Sequence, residues 1–288
     1  MKAAVIGLGS MGTKHFSALR SMKRIEAFSV DPISRSADFS DVEELLKNVN
    51  VDFAIIATPT ASHAKVALKL IEKNIPILIE KPAFRYSTQS ADIFDIIKQN
   101  NCKVVVGHIE RFNPACQTLM RDIKGQKIIN CNITRVSPYP KRVTDVGVKL
   151  DLAVHDIDLV KFITKQKIIT CFSSCSTTKG KQEDTASFFI NLDNKTTSNI
   201  LVSWLTPFRR RTIEILTDKS FYEVDLLNKA ISKFSPGDDL SYITNYPSVK
   251  NHNALEEQLK QFIKYVTIGE IGDLATLEDG VDALRMVE

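Results

Sequence analysis

The stretch Met1-Lys-Ala-Ala-Val-Ile-Gly7-Leu-Gly9-Ser-Met-Gly12 decides the fold of this chain. Ala3–Ile6 is a short apolar run, and a Gly-x-Gly-x-x-Gly pattern follows it directly and opens a helix-like segment. In such a strand–turn–helix the first glycine permits a tight turn, the second lets the backbone approach a pyrophosphate, and the third allows close helix–strand packing. The helix N-terminus then directs free N–H groups towards the phosphates. The pattern predicts a dinucleotide-binding turn made by Gly7, Gly9, Ser10, Met11 and Gly12.

The rest of the first third of the chain repeats this strand–helix rhythm. Short runs rich in Val and Ile alternate with amphipathic, helix-like segments; the runs are Ile25–Val30, Phe53–Thr58, Ile77–Glu80 and Lys103–Gly107. Nearly continuous apolar strands separated by helices indicate a parallel sheet that is covered on both faces and joined by right-handed crossovers. We predict an α/β, doubly wound Rossmann domain over residues 1–120.

After about residue 120 the pattern changes from alternating strands and helices to successive strands. Leu150–Thr164 is predicted to be a helix, and strand-like runs separated by turn-length gaps then extend from Ile168 to Val224. This succession indicates a largely antiparallel sheet. Ser235–Lys250 is rich in Pro, Asp, Ser and Tyr and is predicted to be a loop. We predict a second, α+β domain over residues 121–288.

Composition narrows the class of protein. The 288 residues include 38 basic and 34 acidic side chains, a balance too mild and too evenly spread to indicate nucleic-acid binding. Five cysteines, an odd number without a Cys-x-x-Cys pair, disfavour a disulfide framework and favour a reducing compartment. No apolar run approaches the roughly 20 residues that span a bilayer, and the N-terminus resembles a strand rather than a signal peptide. We expect a cytoplasmic protein that binds neither membranes nor nucleic acid.

Polar residues at strand ends extend the predicted cofactor site. Asp31 ends the second strand about 20 residues beyond the glycines, where an acid binds the adenosine ribose hydroxyls and repels a 2′-phosphate. Asp31 therefore favours NAD, although nearby Arg35 keeps NADP open. Ligands of open α/β sheets collect at the carboxyl ends of the strands. We therefore assign to the cofactor site the residues that close the third and fourth strands: Thr58, Pro59, His63, Glu80, Lys81 and Pro82.

The run Asp151-Leu-Ala-Val-His155-Asp-Ile-Asp158 contains a candidate proton-handling pair. Positions four apart lie on one face of a helix, so Asp151 and His155 are predicted to be neighbours. A carboxylate can orient an imidazole and hold its pKa near neutrality, where general acid–base catalysis is most efficient. An exposed helix face without chemistry is the first alternative. The second is a divalent-metal site made with Asp158, and we expect no metal here.

Four motifs together resemble the Gfo/Idh/MocA family of NAD(P)-dependent sugar oxidoreductases over essentially the whole chain. The motifs are Gly7–Gly12, Ala57–His63, Glu80–Pro82 and Asp151-x-x-x-His155, in the family's order and spacing. The resemblance implies a Rossmann domain followed by an open antiparallel sheet that often mediates dimers or tetramers. It also implies that the catalytic residues are Lys81, Asp151 and His155. In the reaction we assign His155 as the base and Lys81 as the group that stabilises the oxyanion, with Lys81 as base remaining open.

Two further stretches, Gly107–Pro114 and Arg135–Pro140, resemble the family members that act on UDP-N-acetylglucosamine. This implies NAD-dependent oxidation of a sugar hydroxyl, at C3 of that nucleotide sugar. A diphosphate needs cations, and guanidinium groups suit phosphate well. We predict that the substrate is bound by Arg111, Asn113, Tyr139, Arg142 and Lys149. The alternatives are a free sugar, an inositol or a UDP-uronic acid as substrate, and a non-catalytic NAD-binding regulator.

Overall fold

The computed structural model describes residues 1–140 and 146–288. The strands are β1 (Lys2–Ile6), β2 (Glu26–Val30), β3 (Phe53–Ile56), β4 (Ile77–Ile79), β5 (Val104–Val106), β6 (Ile128–Val136), β7 (Ile168–Ser176), β8 (Thr185–Leu192), β9 (Thr197–Ser203), β10 (Arg210–Thr217), β11 (Phe221–Asp225), β12 (Ala230–Pro236), β13 (Tyr242–Asn245) and β14 (Ala275–Thr276). The α-helices are α1 (Ser10–Ser21), α2 (Val42–Asn48), α3 (His63–Ile71), α4 (Ala91–Asn100), α5 (Pro114–Asp122), α6 (Val154–Thr164), α7 (Ala254–Ile268) and α8 (Leu277–Val287). Short 3₁₀ segments span Thr60–Ser62, Ser87–Ser90 and Ile109–Phe112, and a π-helix spans Lys149–Ala153.

The first compact unit contains residues 1–109 and 255–286. Its sheet has the order β14-β5-β4-β3-β1-β2, in which β5 to β2 are parallel and β14 is antiparallel to β5. All residues of β3 and β4 are buried, which explains their uninterrupted apolar sequence. The predicted Rossmann topology is confirmed.

The chain returns to this first sheet near its end. β14 pairs with β5, and Phe262 of α7 packs edge-on against Phe53 of β3 with ring centroids 5.5 Å apart. The sequence-based boundary near residue 120 does not anticipate this return. A two-residue strand carries no periodic signal, and the helical pattern of α7 does not specify which sheet it covers.

The second unit contains residues 110–254. Its eight-stranded sheet has the order β13-β12-β11-β10-β6-β9-β8-β7, and β6 with β9 is the parallel pair in an otherwise antiparallel arrangement. Along β6, Cys131 and Ile133 are buried, whereas Asn130 and Asn132 are only partly covered. This alternation marks one covered face, against which α6 packs. The predicted, mostly antiparallel second sheet is confirmed.

Two local predictions differ from the structure. Ser235–Lys250 is not wholly a loop, because Tyr242–Asn245 forms β13 and pairs with β12. The ring centroids of Tyr242 and Phe234 lie 6.0 Å apart. Cross-strand contacts, rather than a local pattern, support this short strand. The helix predicted over Leu150–Thr164 begins as the π-helix Lys149–Ala153 and continues as α6. Within the two described ranges, no helix is both long and apolar enough to cross a membrane.

Candidate active site

The glycine turn after β1 has room for a ligand on one side and none on the other. Gly7 has φ +94°, and a Cβ there would lie 2.8 Å from the backbone of Ala57 and Thr58. A Cβ at Gly12 would overlap the carbonyl oxygen of Gly7. At Gly9, by contrast, a Cβ would meet no protein atom within 4 Å. The turn therefore packs tightly against β3 and leaves Gly9 open, as close approach of a pyrophosphate requires. Ser10 and Met11 begin α1 beside it.

Asp31 is held against this turn as a carboxylate. Its Oδ2 accepts a hydrogen bond from the N–H of Leu8 at 2.8 Å, and its Oδ1 accepts from Ile33 and Ser34 at 2.9 and 2.8 Å. Burial works against the charged form, but the three backbone donors outweigh it and lower the pKa of Asp31. A fixed negative charge at this position suits ribose hydroxyls and repels a 2′-phosphate. These residues fit NAD.

The turn after β4 carries Lys81. The N–H of Glu80 donates to the carbonyl of Ile56 at 2.9 Å, which continues the parallel ladder to the strand end. The Glu80 carboxylate lies 2.6 Å from Nε2 of His15 and directly behind Gly107, where a Cβ would lie 3.1 Å from it. Lys81 is partly exposed, and the Lys81–Pro82 peptide is cis. Lys81 is therefore partly accessible at this turn, whereas the Glu80 carboxylate contacts His15 and Gly107.

His63 occupies a different environment from the one predicted for a cofactor ligand. Its ring is 1% exposed. Nε2 lies 2.9 Å from the carbonyl oxygen of Thr58, and Nδ1 lies 3.1 and 3.2 Å from those of Pro82 and Ala83. Burial lowers the pKa of His63, although the surrounding carbonyls favour the protonated form. Both ring nitrogens of His63 therefore face backbone carbonyl oxygens of the protein. Thr58 remains partly exposed and Pro59 is exposed at the strand edge.

Asp151 and His155 lie in the second unit, on either side of the junction between the π-helix and α6. Both are partly exposed. Glu183 organises the start of this segment, because its carbonyl accepts from Val148 at 3.0 Å and a Cβ at Gly147 would overlap its carboxylate. A π-turn within a helix is frequently found at functional sites. Gly147 and Glu183 could not be predicted from the sequence, since the α-helical pattern continues smoothly across the π-turn.

Arg111 and Asn113, predicted to bind substrate, make internal contacts instead. Arg111 is buried, donates from Nε and Nη2 to the two oxygens of Asp158 at 2.8 and 2.6 Å, and stacks over Phe162. The burial and pairing of Arg111 disfavour the predicted contact with a substrate phosphate, because a guanidinium committed to a carboxylate is a poor phosphate ligand. The pairing also disfavours the metal alternative, because both oxygens of Asp158 are engaged. Asn113 accepts from Ala115 at 3.0 Å and so caps α5, a role that the following proline signals.

A buried network of charged side chains fixes α6 to the covered face of the second sheet. Arg135 of β6 donates from Nε and Nη2 to Asp156 of α6 at 2.8 and 2.7 Å, and from Nη1 to Glu110 at 3.0 Å. Arg211 of β10 also reaches Glu110, at 3.0 Å. Burial disfavours charge on Glu110, but the two arginines outweigh it and lower its pKa. Asp156 directly follows His155, so the network anchors the helix that carries the histidine.

Of the remaining predicted substrate residues, Tyr139 and Lys149 lie in the second unit, and Arg142 lies outside the described part of the chain. Tyr139 stands edge-on to the buried Trp204 with ring centroids 5.5 Å apart. Lys149 begins the π-helix and is partly exposed. Among the residues that are described, no group of three or more His, Cys, Asp or Glu side chains is arranged to hold a metal ion.

Models of one protein family match residues in both units of the chain. A model of the oxidoreductase family Gfo/Idh/MocA with the NAD-binding Rossmann fold matches residues 1–108, and the model of the family's C-terminal domain matches residues 127–223. The chain belongs to the Gfo/Idh/MocA family. As a Gfo/Idh/MocA protein it is an oxidoreductase, and its first unit is the NAD-binding domain of that family.

Two relatives of this chain are dehydrogenases named for different substrates. The chain is 25% identical over 283 residues to a UDP-N-acetylglucosamine 3-dehydrogenase of Acidithiobacillus ferrooxidans, which covers 92% of this chain and 88% of the relative. It is 28% identical over 187 residues to an inositol 2-dehydrogenase of Pseudarthrobacter chlorophenolicus, which covers 58% of this chain and 55% of the relative.

Solved structures show the same Gfo/Idh/MocA fold. The Acidithiobacillus ferrooxidans UDP-N-acetylglucosamine 3-dehydrogenase matches with a TM-score of 0.92 at 21% identity, over 100% of this chain and 95% of the other. An oxidoreductase from Agrobacterium radiobacter in complex with NAD⁺, L-tartaric acid and magnesium matches with a TM-score of 0.88 at 16% identity, over 100% and 94%. At these identities the likeness establishes the fold.

Proposed function

We propose that this protein oxidises a secondary hydroxyl of a nucleotide sugar, at C3 of UDP-N-acetylglucosamine, with NAD as the hydride acceptor. One observation supports this substrate above others. The similarity to the UDP-N-acetylglucosamine 3-dehydrogenase extends over 92% of the chain and so includes the second unit, whereas the similarity to an inositol dehydrogenase covers 58%. Since the second domain is expected to bind the substrate, similarity there bears on substrate choice.

The reaction removes a hydride from carbon and a proton from oxygen. The glycine turn and Asp31 would hold NAD, which when bound would serve as the hydride acceptor. In the proposed mechanism His155 accepts the hydroxyl proton, and Lys81 donates a hydrogen bond to the same oxygen and stabilises its developing negative charge. Asp151 orients the imidazole or a neighbouring substrate hydroxyl. Anchoring of α6 through Asp156 keeps the base in one position, which matters because misplacement by about 1 Å can cost 10²-fold in rate.

The test is NADH formation from NAD and UDP-N-acetylglucosamine, followed by absorbance. We expect turnover by the wild type and losses of about 10²–10⁴ in rate for His155→Ala and Lys81→Ala. Lys65→Ala, an exposed lysine of α3, is the matched control and should retain full activity. Absence of turnover by a protein that binds NAD would refute the proposed substrate.

The relatives that act on inositols make a free polyol the second candidate. Comparing UDP-N-acetylglucosamine with free N-acetylglucosamine, inositols and UDP-glucuronic acid separates the two classes, because only the nucleotide sugars bring a diphosphate. Preference for a free polyol would move the assignment to inositol-type chemistry. A non-catalytic regulator is disfavoured because Lys81, Asp151 and His155 are all present.

We also infer that a second copy of the chain covers the face of the second sheet that lies opposite α6. β7, β8 and β9 contain no charged residue, although 25% of the chain is charged. Phe172, Phe189 and Leu201 are 64%, 43% and 39% exposed on this face. Depletion of charge around exposed aromatic residues is typical of the centre of a protein–protein interface.

The oligomeric state tests this interface. Analytical ultracentrifugation should find a homodimer, or a homotetramer if a further surface associates, and Phe172→Glu should shift the equilibrium towards monomer. Ser137→Glu, outside these three strands, is the control. A monomeric wild type at micromolar concentration would refute the inference.

The cytoplasm is the proposed compartment. Three of the five cysteines are buried, and their odd number disfavours a disulfide framework, which suits a reducing environment. Recovery of the protein in a membrane or extracellular fraction would refute this placement.

A further inference from the structure

Two buried histidines from different helices flank the turn that carries Lys81. On one side, Nε2 of His15 in α1 lies 2.6 Å from the carboxylate of Glu80. On the other side, Nδ1 of His63 in α3 faces the carbonyl oxygens of Pro82 and Ala83 at 3.1 and 3.2 Å. The exposed fractions of the two histidines are 0% and 1%. Solvent therefore does not compete for these contacts.

Each histidine joins the lysine turn to a segment of the cofactor site. His15 lies in the helix that opens at the glycine turn, four residues beyond Met11. His63 begins the helix that follows Thr58, and its Nε2 lies 2.9 Å from the Thr58 carbonyl oxygen. The two rings thus connect β1–α1 and β3–α3 to the end of β4. Rigid connections of this kind hold a reactive group in a productive position.

The contacts leave Glu80 little freedom to move. Glu80 is 8% exposed. Its carboxylate lies against Gly107, where a Cβ atom would lie only 3.1 Å from it. A buried carboxylate that loses its partner incurs a large desolvation cost, and so do buried carbonyls that lose a donor. Removing either histidine is therefore expected to shift the turn rather than leave the groups unpaired.

We propose that His15 and His63 are positioning residues that set the location of the Lys81 amine relative to the cofactor turn. This inference rests on the catalytic role given to Lys81 under the proposed function. His63 acts through the carbonyls that follow Lys81, and His15 acts through the carboxylate that precedes it. Neither ring is required to touch substrate.

The two histidines use opposite ring nitrogens, which allows a matched test. An asparagine amide can place its N–H donor where Nδ1 lies, and a glutamine amide can place it where Nε2 lies. His63→Asn should keep the bond to the turn and His63→Gln should lose it. At position 15 the order reverses, so that His15→Gln keeps the bond to Glu80 and His15→Asn loses it. Within each pair the same ring is removed, so the loss of packing is comparable.

We expect kcat to fall about 10²-fold in His63→Gln and His15→Asn, and to recover to within about tenfold of wild type in His63→Asn and His15→Gln. The dissociation constant for NAD and the thermal midpoint should differ little within a pair. Equal kcat losses in both members of each pair, or losses that parallel the thermal midpoint, would overturn the proposal and leave a purely structural role.

A second measurement works without any substrate. Hydrogen exchange of the amides of Lys81, Ala83 and Phe84, read by mass spectrometry, should be faster in His63→Gln than in His63→Asn. If the wild type oxidises no sugar, the proposed function fails and this comparison decides alone. Faster exchange in the glutamine variant then supports the link between His63 and the turn, and equal exchange overturns it.

Discussion

Replacing Arg135 by methionine should destabilise the second unit more than any ordinary surface substitution. Arg135 is 3% exposed and makes three hydrogen bonds to Asp156 and one to Glu110. Methionine preserves much of the aliphatic stem, so the main loss is electrostatic. Asp156, which is 0% exposed, is left without this guanidinium, whereas Glu110 keeps its bond to Arg211. Breaking one side of a buried ion pair costs about 3–5 kcal/mol.

That cost is a large part of the roughly 5–15 kcal/mol that stabilises a typical protein. It should shrink in the double variant Arg135→Met/Asp156→Leu, because an apolar pair leaves no buried charge unpaired. The double variant is therefore expected to be more stable than the single one. Arg121→Met, which removes an exposed arginine of α5, should change stability by less than about 0.5 kcal/mol.

Urea unfolding followed by tryptophan fluorescence isolates the effect. Trp204 is the chain's one tryptophan, is 2% exposed and lies in the second unit, so its emission reports on the unit that contains the network. A loss below about 1 kcal/mol in Arg135→Met would refute the reasoning. So would a double variant less stable than the single one, since unpaired charge would then not be the cause.

Three further predictions concern the first unit. Burial lowers the pKa of His63 in the folded protein below its unfolded value near 6.5. The neutral ring therefore stabilises the folded state above about pH 6.5, and this contribution is lost as the pH falls towards the pKa of the folded state. The difference in unfolding free energy between wild type and His63→Asn should accordingly narrow from neutral to mildly acidic pH. Gly9→Ala should leave the thermal midpoint unchanged but weaken NAD binding, whereas Gly12→Ala should lower the midpoint as well, because only its Cβ would overlap protein. Asp31→Ser should raise the ratio of NADP to NAD affinity, measured by fluorescence titration, because the fixed negative charge that repels a 2′-phosphate is gone.

Each of these three predictions would be contradicted by a specific result. A His63→Asn variant whose stability difference from wild type is independent of pH would show that the ring is not the titrating group. A Gly9→Ala protein that binds NAD as tightly as wild type would place the pyrophosphate elsewhere. An unchanged cofactor ratio in Asp31→Ser would mean that another residue sets the preference.

Local sequence was sufficient where neighbouring residues specify the structure. The apolar run before Gly7 forms β1, the glycines lead into α1, and Asp31 follows β2, because these positions depend on contacts within one βαβ unit. The succession of strand-like runs separated by turn-length gaps likewise predicted the second sheet. Such patterns record which face of a strand or helix is covered, and that is a short-range property.

Side-chain partners that are distant in sequence could not be predicted in the same way. Arg111 reaches Asp158 across 47 positions and Arg135 reaches Asp156 across 21, and both arginines are chemically as suited to a phosphate as to a carboxylate. Whether His63 faces a ligand or the backbone beyond Lys81 depends on how α3 packs beside β4, which no pattern within the helix records. Burial and pairing at these positions arise from packing between elements, because desolvation obliges each buried charge or donor to find the partner that the fold places beside it.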